Sequence, residues 1–392
     1  MSHALTATLA ATLAAISARA IDIRRALHAH PELMWQEHTT AAVVRAELDR
    51  LGIPWQPCAD TGTLGRLGEN KFGRHLAFRA DLDALPLDEA TGLPWASTNP
   101  GCMHACGHDG HTASLLAAAA YLKSREDELP GPITLLFQPA EEGGHGAQHM
   151  IDAGALNGID AIFGYHNWPP LPFGSAACPL GPVMAANAEW TIVITGRGAH
   201  ASTPHDGIDP IVCGAQFVSA VQQVVSRCTA PQEAAVVTVT CFHAGTADNI
   251  IPDSAELIGT VRAGTTEQRD ALAAHVERIL HATAAACGAT ATFDYRPCYP
   301  ATVNHAAEAE IARAALRSEL GSEQLIDAGM PLMAAEDFGA FLRVKPGAFL
   351  LLGAGRPGQP VEGCHSPRFD FNDELIPLVA RLWARIAGLR MP

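Results

Sequence analysis

The sequence predicts an α/β fold: a mixed, mainly parallel sheet domain with helices on both faces, interrupted by a smaller inserted α+β domain. Three observations lead there. Apolar runs of strand length recur at residues 75–80, 133–137, 161–165 and 348–352, with helical patterning between them. Residues that carry chemistry gather where those runs end. Between residues 186 and 295 the rhythm becomes strand, helix, strand, strand, helix, strand, the split βαβ layout (β-α-β-β-α-β) of ferredoxin-like modules. Residues 1–185 and 297–392 are therefore assigned to the sheet domain and residues 186–296 to the insertion.

Residues 5–27 carry a helical period that breaks at His28-Ala29-His30-Pro31-Glu32, since Pro31 disfavours helix at the residue before it. The Ala/Leu-rich start lacks a basic leader region. Arg19, Asp22, Arg24 and Arg25 follow in the same pattern, so it reads as an amphipathic helix rather than an export signal. A second helix, 39–51, stops at Gly52. The strand at 75–80 runs into Asp81 and Asp83, and a helix over 112–122 follows the turn Met103-His104-Ala105-Cys106-Gly107-His108-Asp109-Gly110-His111. The strand at 133–137 ends in Gln138-Pro139-Ala140-Glu141-Glu142-Gly143-Gly144. That at 161–165 ends in His166-Asn167, and that at 348–352 in Gly353-Ala354-Gly355, with His365 in the next loop. In the insertion, strands are expected at 189–195, 235–242, 255–261 and 290–295, and helices at 210–228 and 267–286.

Composition bounds the function. With 392 residues, two domains are expected. A 48% apolar, 17% charged chain is an ordinary globular protein. Its formal charge, 26 − 41 = −15, argues against a nucleic-acid partner but not against small anionic substrates. No apolar run reaches membrane-spanning length. Ten cysteines without a repeating spacing suggest reduced thiols and a cytoplasmic protein.

Ligands of open parallel sheets bind beyond the carboxyl ends of the strands. Asp83, Glu141, Glu142 and His166 all fall at such ends and are read as one site. Cys106 and His108 form a Cys-x-His pincer suited to Zn²⁺ or a similar divalent ion. The following helix start favours the thiolate, which is the ligating form. A thiol hydrolase, with Cys106 as nucleophile and His108 as base, is the rival enzyme reading, and a non-catalytic binding relative is a third.

Four segments, Arg79-Ala80-Asp81-Leu82-Asp83-Ala84-Leu85-Pro86, Met103 to Asp109, Gln138 to Gly144 and Cys364-His365-Ser366-Pro367, resemble the signature segments of the M20 metallopeptidase family. The amidohydrolase branch, with hippurate hydrolases, N-acyl-amino-acid amidohydrolases and auxin-conjugate hydrolases, is the nearest match, and the likeness spans nearly the whole chain. The resemblance implies two divalent ions per chain, Zn²⁺ or Mn²⁺ with Co²⁺ or Ni²⁺ also admitted. Their ligands would be Cys106, His108, Glu142, His166 and His365. It makes Glu141 the general base toward a metal-bridged water, and Asp83 the carboxylate that orients a liganding histidine. By the same likeness His200, in Gly196-Arg197-Gly198-Ala199-His200-Ala201-Ser202, stabilises the oxyanion in a neighbouring subunit, which implies a homodimer or higher oligomer through the insertion. Asn249 and Arg262 match positions near the substrate's carboxylate. The implied substrate is an N-acyl or N-aroyl amino acid of the hippurate kind, with dipeptidase or aminoacylase activity as the alternative. Asp81 and Glu336-Asp337-Phe338 receive no role, and His104 and His111 fall outside the ligand positions. Arg368 stands where the family often has an aromatic residue.

Overall fold

The computed structural model describes residues 3–358 and 360–391 and divides into two compact units. Unit 1 comprises residues 1–183, 303–328 and 337–392; unit 2 comprises 184–302 and 329–336.

Unit 1 opens with α1 (His3–Ala29) and α2 (His38–Leu51), followed by β1 (Trp55–Pro57), β2 (Thr63–Leu67) and β3 (Leu76–Asp81). Then come α3 (His108–Lys123), β4 (Ile133–Gln138), α4 (Gly146–Asp152), β5 (Ala161–Pro172) and β6 (Ala176–Ala177). Unit 2 holds β7 (Ala186–Thr195), α5 (Pro210–Ala220), α6 (Gln223–Cys228), β8 (Ala235–Ala244), β9 (Ser254–Ala263), α7 (Thr266–Ala286) and β10 (Thr290–Pro297). The chain returns to unit 1 with α8 (Ala306–Leu320), α9 (Gly339–Val344), β11 (Gly347–Gly355) and α10 (Leu375–Ile386).

The sheet of unit 1 has the order β1-β2-β4-β3-β5-β11-β6. Its centre, β4-β3-β5-β11, is parallel, and antiparallel strands flank it on both sides. β3 and β4 are buried along their whole length, which requires cover on both faces. On one face Phe78, Ala80, Leu350 and Leu352 share a core with α3 and α10. On the other, Phe349 meets Phe338 with ring centroids 4.9 Å apart. A Cβ on Gly164 would come within 2.6 Å of the Phe338 ring, so only glycine admits that aromatic.

The sheet of unit 2 is antiparallel in the order β8-β9-β7-β10, the ferredoxin-like arrangement expected of a split βαβ pattern. Its core gathers Trp190, Ile192, Ile194, Phe217, Leu257 and Leu280. Asp209 caps α5, its side chain accepting from the N–H of Ile211 at 2.8 Å, and Thr265 caps α7 through the N–H of Gln268.

Several expectations are corrected. The helix after the Cys106 turn begins at His108, because Gly107 at φ 99° supplies the left-handed residue that turns the chain into it. His166 and Asn167 lie inside β5 rather than beyond it, since the strand continues to Pro172 alongside β11. The helix expected over 210–228 is broken at Val221-Gln222, in a stretch rich in β-branched valines. Residues 329–336, read as part of the sheet domain, belong to unit 2. There Ala185 N–H donates to the carbonyls of Leu332 and Ala334, and Arg262 to that of Met333. No described helix is long and apolar enough to cross a membrane.

Candidate metal centre

Arg79 on β3 is level with Leu136 on β4 and Gly164 on β5. Two residues further on Asp81 pairs with Gln138, and His166 follows Gly164 by the same two residues on β5. The N-terminus of α3 arrives over the same end with His108. The backbone at His365, at φ 67°, is tied to the Cys106 turn by its N–H, which donates to Ala105 O at 2.7 Å.

These elements bring together all the residues expected to hold metal. Ligand atoms of Cys106, His108 and His166 lie within 4.8 Å of one another, as do those of Cys106, Glu142 and His365, and those of His108, Glu141 and Glu142. The Cys106 Sγ is 3.3 Å from His166 Nε2, and His365 Nε2 is 3.3 Å from Glu142 Oε1. Both inner imidazoles are set by their other nitrogen. His108 Nδ1 donates to the Asp83 carbonyl at 2.9 Å and His166 Nδ1 to that of Asn167 at 2.6 Å, so each Nε2 faces the cluster, available to a metal once it carries no proton.

Whether this set fits a divalent ion can be tested on its own atoms. His108 Nε2 and Glu142 Oε1 are buried with only ion-pair neighbours, Asp81 Oδ2 at 3.7 Å and His365 Nε2 at 3.3 Å, and no well-formed hydrogen bond, an arrangement a coordinated ion would satisfy better. Burial disfavours a charged His108, yet Asp81, Asp83 and Glu142 overcome it and push its pKa up to about 10. The hydrogen bond with Cys364, then burial and the carboxylates of Glu142 and Glu141, hold the Cys106 thiol well above its usual value. Burial and neighbouring His111 hold His166 well below its own, hence neutral. Carboxylates thus outnumber cations here, the donors are thiol, imidazole and carboxylate, and two of them lack a well-formed hydrogen bond. The residues fit a divalent metal.

The Glu pair sits on a tight turn, with Ala140 at φ 53° and Gly143 at φ 93°. Asp83 pins it: its Oδ1 accepts the N–H of Glu141 at 3.0 Å and its Oδ2 that of Glu142 at 2.9 Å. Asp83 therefore orients His108 through its main-chain carbonyl while its carboxylate grips the loop, a fuller role than expected. Glu37 holds the N–H of Ala140 from the other side at 2.8 Å.

Beneath the ligands runs a buried polar chain. Asp337 accepts from Gln138 Nε2 (2.8 Å), Ala147 N (2.9 Å) and Arg79 Nη2 (3.1 Å), and its own N–H donates to Glu141 Oε1 at 3.4 Å. Arg79 reaches Asp81 Oδ2 at 2.6 Å, Asp81 Oδ1 accepts from His111 at 2.7 Å, and His111 Nε2 meets Asn167 Oδ1 at 2.6 Å. Sequence reasoning missed these roles. Arg79 carried a signal, because a charge inside an otherwise apolar strand demands buried partners. His104 is buried with neither ring nitrogen hydrogen-bonded, and burial pushes its pKa down to about 4.

His200, Asn249 and Arg262 lie in unit 2. His200 is exposed in the short strand Ala199–His200, which pairs with Ile250–Ile251. The N–H of Ser202 donates to His200 Nδ1 at 3.1 Å, so the proton sits on Nε2 and makes it a donor. The carbonyl of Asn249 accepts from Ala201 N–H, and Arg262 Nη1 donates to Met333 O at 2.6 Å.

An α/β sheet that gathers metal-type donors and a second glutamate around one end of its parallel strands, with His166 within β5, is the architecture of a divalent-metal hydrolase. The model of peptidase family M20/M25/M40 matches residues 77–388, and the chain belongs to that family. An N-acetylcysteine deacetylase of Bacillus subtilis is 40% identical over 375 residues, covering 95% of this chain and 97% of its own. The IAA-amino acid hydrolase ILR1-like 4 of Arabidopsis thaliana is 39% identical, covering 94% and 84%. Among solved structures, the Bacillus subtilis YXEP protein, described as a dinuclear metal binding peptidase from the M20 family, is 38% identical. It superposes with a TM-score of 0.83 over 95% of this chain and 98% of its own. The protein is accordingly a hydrolase of amide bonds in the amidohydrolase branch, and its family implies divalent metal ions.

Proposed function

We infer that the chain hydrolyses N-acyl or N-aroyl amino acids, hippurate-like in form, to a carboxylic acid and a free amino acid. The observation that carries this reading is the convergence of Cys106, His108, Glu142, His166 and His365 with Glu141 beside them. Those five residues would hold two divalent ions, Zn²⁺ or Mn²⁺ by donor type. When bound, the ions supply Lewis-acid chemistry, polarising the scissile carbonyl and making water more acidic.

The chain's own residues do the rest. Glu141, fixed by the Asp83 contact to its N–H and the Asp337 N–H at its carboxylate, takes the proton of the attacking water and returns it to the leaving nitrogen. His200 Nε2–H is a preplaced donor for the tetrahedral oxyanion; in this reading it acts in a second copy, which makes the working form a homodimer joined through unit 2. Asn249 and Arg262 contribute to holding the substrate's carboxylate. A cytoplasmic location accords with ten free thiols.

One contact favours a thiol hydrolase: Cys106 Sγ lies beside His166 Nε2, rather than beside the His108 expected as its base. The raised thiol pKa runs against it, since nucleophilic cysteines have depressed values. Metal content per chain, paired with hydrolysis of hippurate and a panel of N-acetyl amino acids, separates the two. About two ions per chain and chelator inhibition reversed by Mn²⁺ or Zn²⁺ are expected; activity that survives full chelation and yields to a thiol reagent would overturn the metal reading.

A further inference from the structure

Cys364 directly precedes His365 and lies half-buried on the loop that closes over Cys106. Three contacts fix it there. The N–H of His365 donates to Ala105 O at 2.7 Å, the Cys364 thiol donates to the Cys106 carbonyl at 3.8 Å, and Asn167 Nδ2 donates to Cys364 Sγ at 3.9 Å. The two thiols also interact directly with each other. Contacts from Cys364 to the Cys106 carbonyl and from the next residue to Ala105 O keep the two cysteines adjacent, the first condition for joining them through a disulfide.

We propose that Cys106 and Cys364 form an intramolecular disulfide on exposure to hydroperoxides, a modification that withdraws the thiolate from the metal site. The chemistry balances in two steps. Cys364 sulfur attacks the peroxide: an S–O bond forms, the O–O bond breaks, and the leaving oxygen departs as water or an alcohol, giving a sulfenic acid. Cys106 sulfur then attacks that sulfur: the S–S bond forms, the S–O bond breaks, and hydroxide leaves as water with the proton of the Cys106 thiol. Two thiols lose two electrons, and the peroxide accepts them. Cys364 is the first to react because it is the more exposed of the pair. The donor set loses its sulfur, and a thiol reductant restores it. Cys213 and Cys287 in unit 2 also interact with each other and belong to none of the metal-type donor groups among the described residues; they serve as an internal comparison.

This inference rests on Cys106 being a metal ligand, and the experiment separates the two ideas. Metal-loaded protein is treated with hydrogen peroxide; intact mass, linked peptides and released metal (by a chromogenic chelator) are followed together. A loss of about 2 Da, a peptide joining Cys106 to Cys364, metal release and recovery of metal binding after dithiothreitol support the switch. Cys364→Ser, which leaves the five donors intact, forms no such peptide and releases metal at least about tenfold more slowly. A Cys106–Cys364 peptide with metal fully retained overturns the ligand role of Cys106 and the switch with it. Metal that binds normally while the thiols never join, or a link only between Cys213 and Cys287, overturns the disulfide and leaves the metal reading standing.

Discussion

The two sides of the site are built differently. Cys106, His108 and His166 are buried; each imidazole has its second nitrogen fixed by a main-chain carbonyl, and Arg79, Asp81 and His111 pack behind them. Glu142 and His365 stand on loops, with the His365 side chain 57% exposed and paired mainly with Glu142 itself. The inner side chains are held by the fold, while the outer pair has its main chain anchored to Ala105 and Asp83 but its side chains fixed only by each other. Preorganised ligands lose little freedom on binding, so affinity should reside on the inner side.

The sharpest way to break that contrast is to remove one ligand from each side. His108→Ala should leave the protein with little bound metal, whereas His365→Ala should retain a substantial share; equal losses, measured as metal content after dialysis, would erase the distinction. Next in size is Glu141→Gln. It should cut kcat by roughly 10²–10⁴-fold with metal content unchanged, and metal loss instead would mean that Glu141 and Glu142 exchange roles. Arg79→Met then tests the buried support. It removes the guanidinium that Asp81 and Asp337 share, and should lower unfolding stability by about 3–5 kcal/mol, read from denaturant midpoints. A midpoint within error of the parent would show that the polar chain is not a stabilising support. Smallest is Asp83→Ala, which frees the Glu141–Glu142 turn and should weaken metal affinity or activity by roughly 10–100-fold; a change confined to KM would place Asp83 on the substrate instead.

The same contrast explains what could be read from the sequence. The parallel sheet was legible because β3, β4 and β11 are built mainly from apolar residues, Arg79 being the charged exception within β3, and the donors because they sit where those apolar runs stop. The supporting residues were not. Asp337 meets Arg79 across 258 positions of chain, a contact no local pattern records. The extent of β5 was hidden by Pro169, Pro170 and Pro172, which signal a strand's end but here follow it as it pairs along β11. Gly107's positive φ, which starts α3 at His108, is equally silent in a run of histidines. Residues 329–336 carry no periodicity, and what ties them to unit 2 is main-chain bonding to Ala185 and Arg262.

The most direct test of the account is an anomalous-difference map from crystals grown with Zn²⁺ or Mn²⁺ and recorded at the metal's absorption edge. Two peaks are predicted among Cys106, His108, Glu142, His166 and His365, the one nearer His108 and His166 being the stronger when metal is limiting. Peaks elsewhere, or none at these five residues under saturating metal, would contradict it.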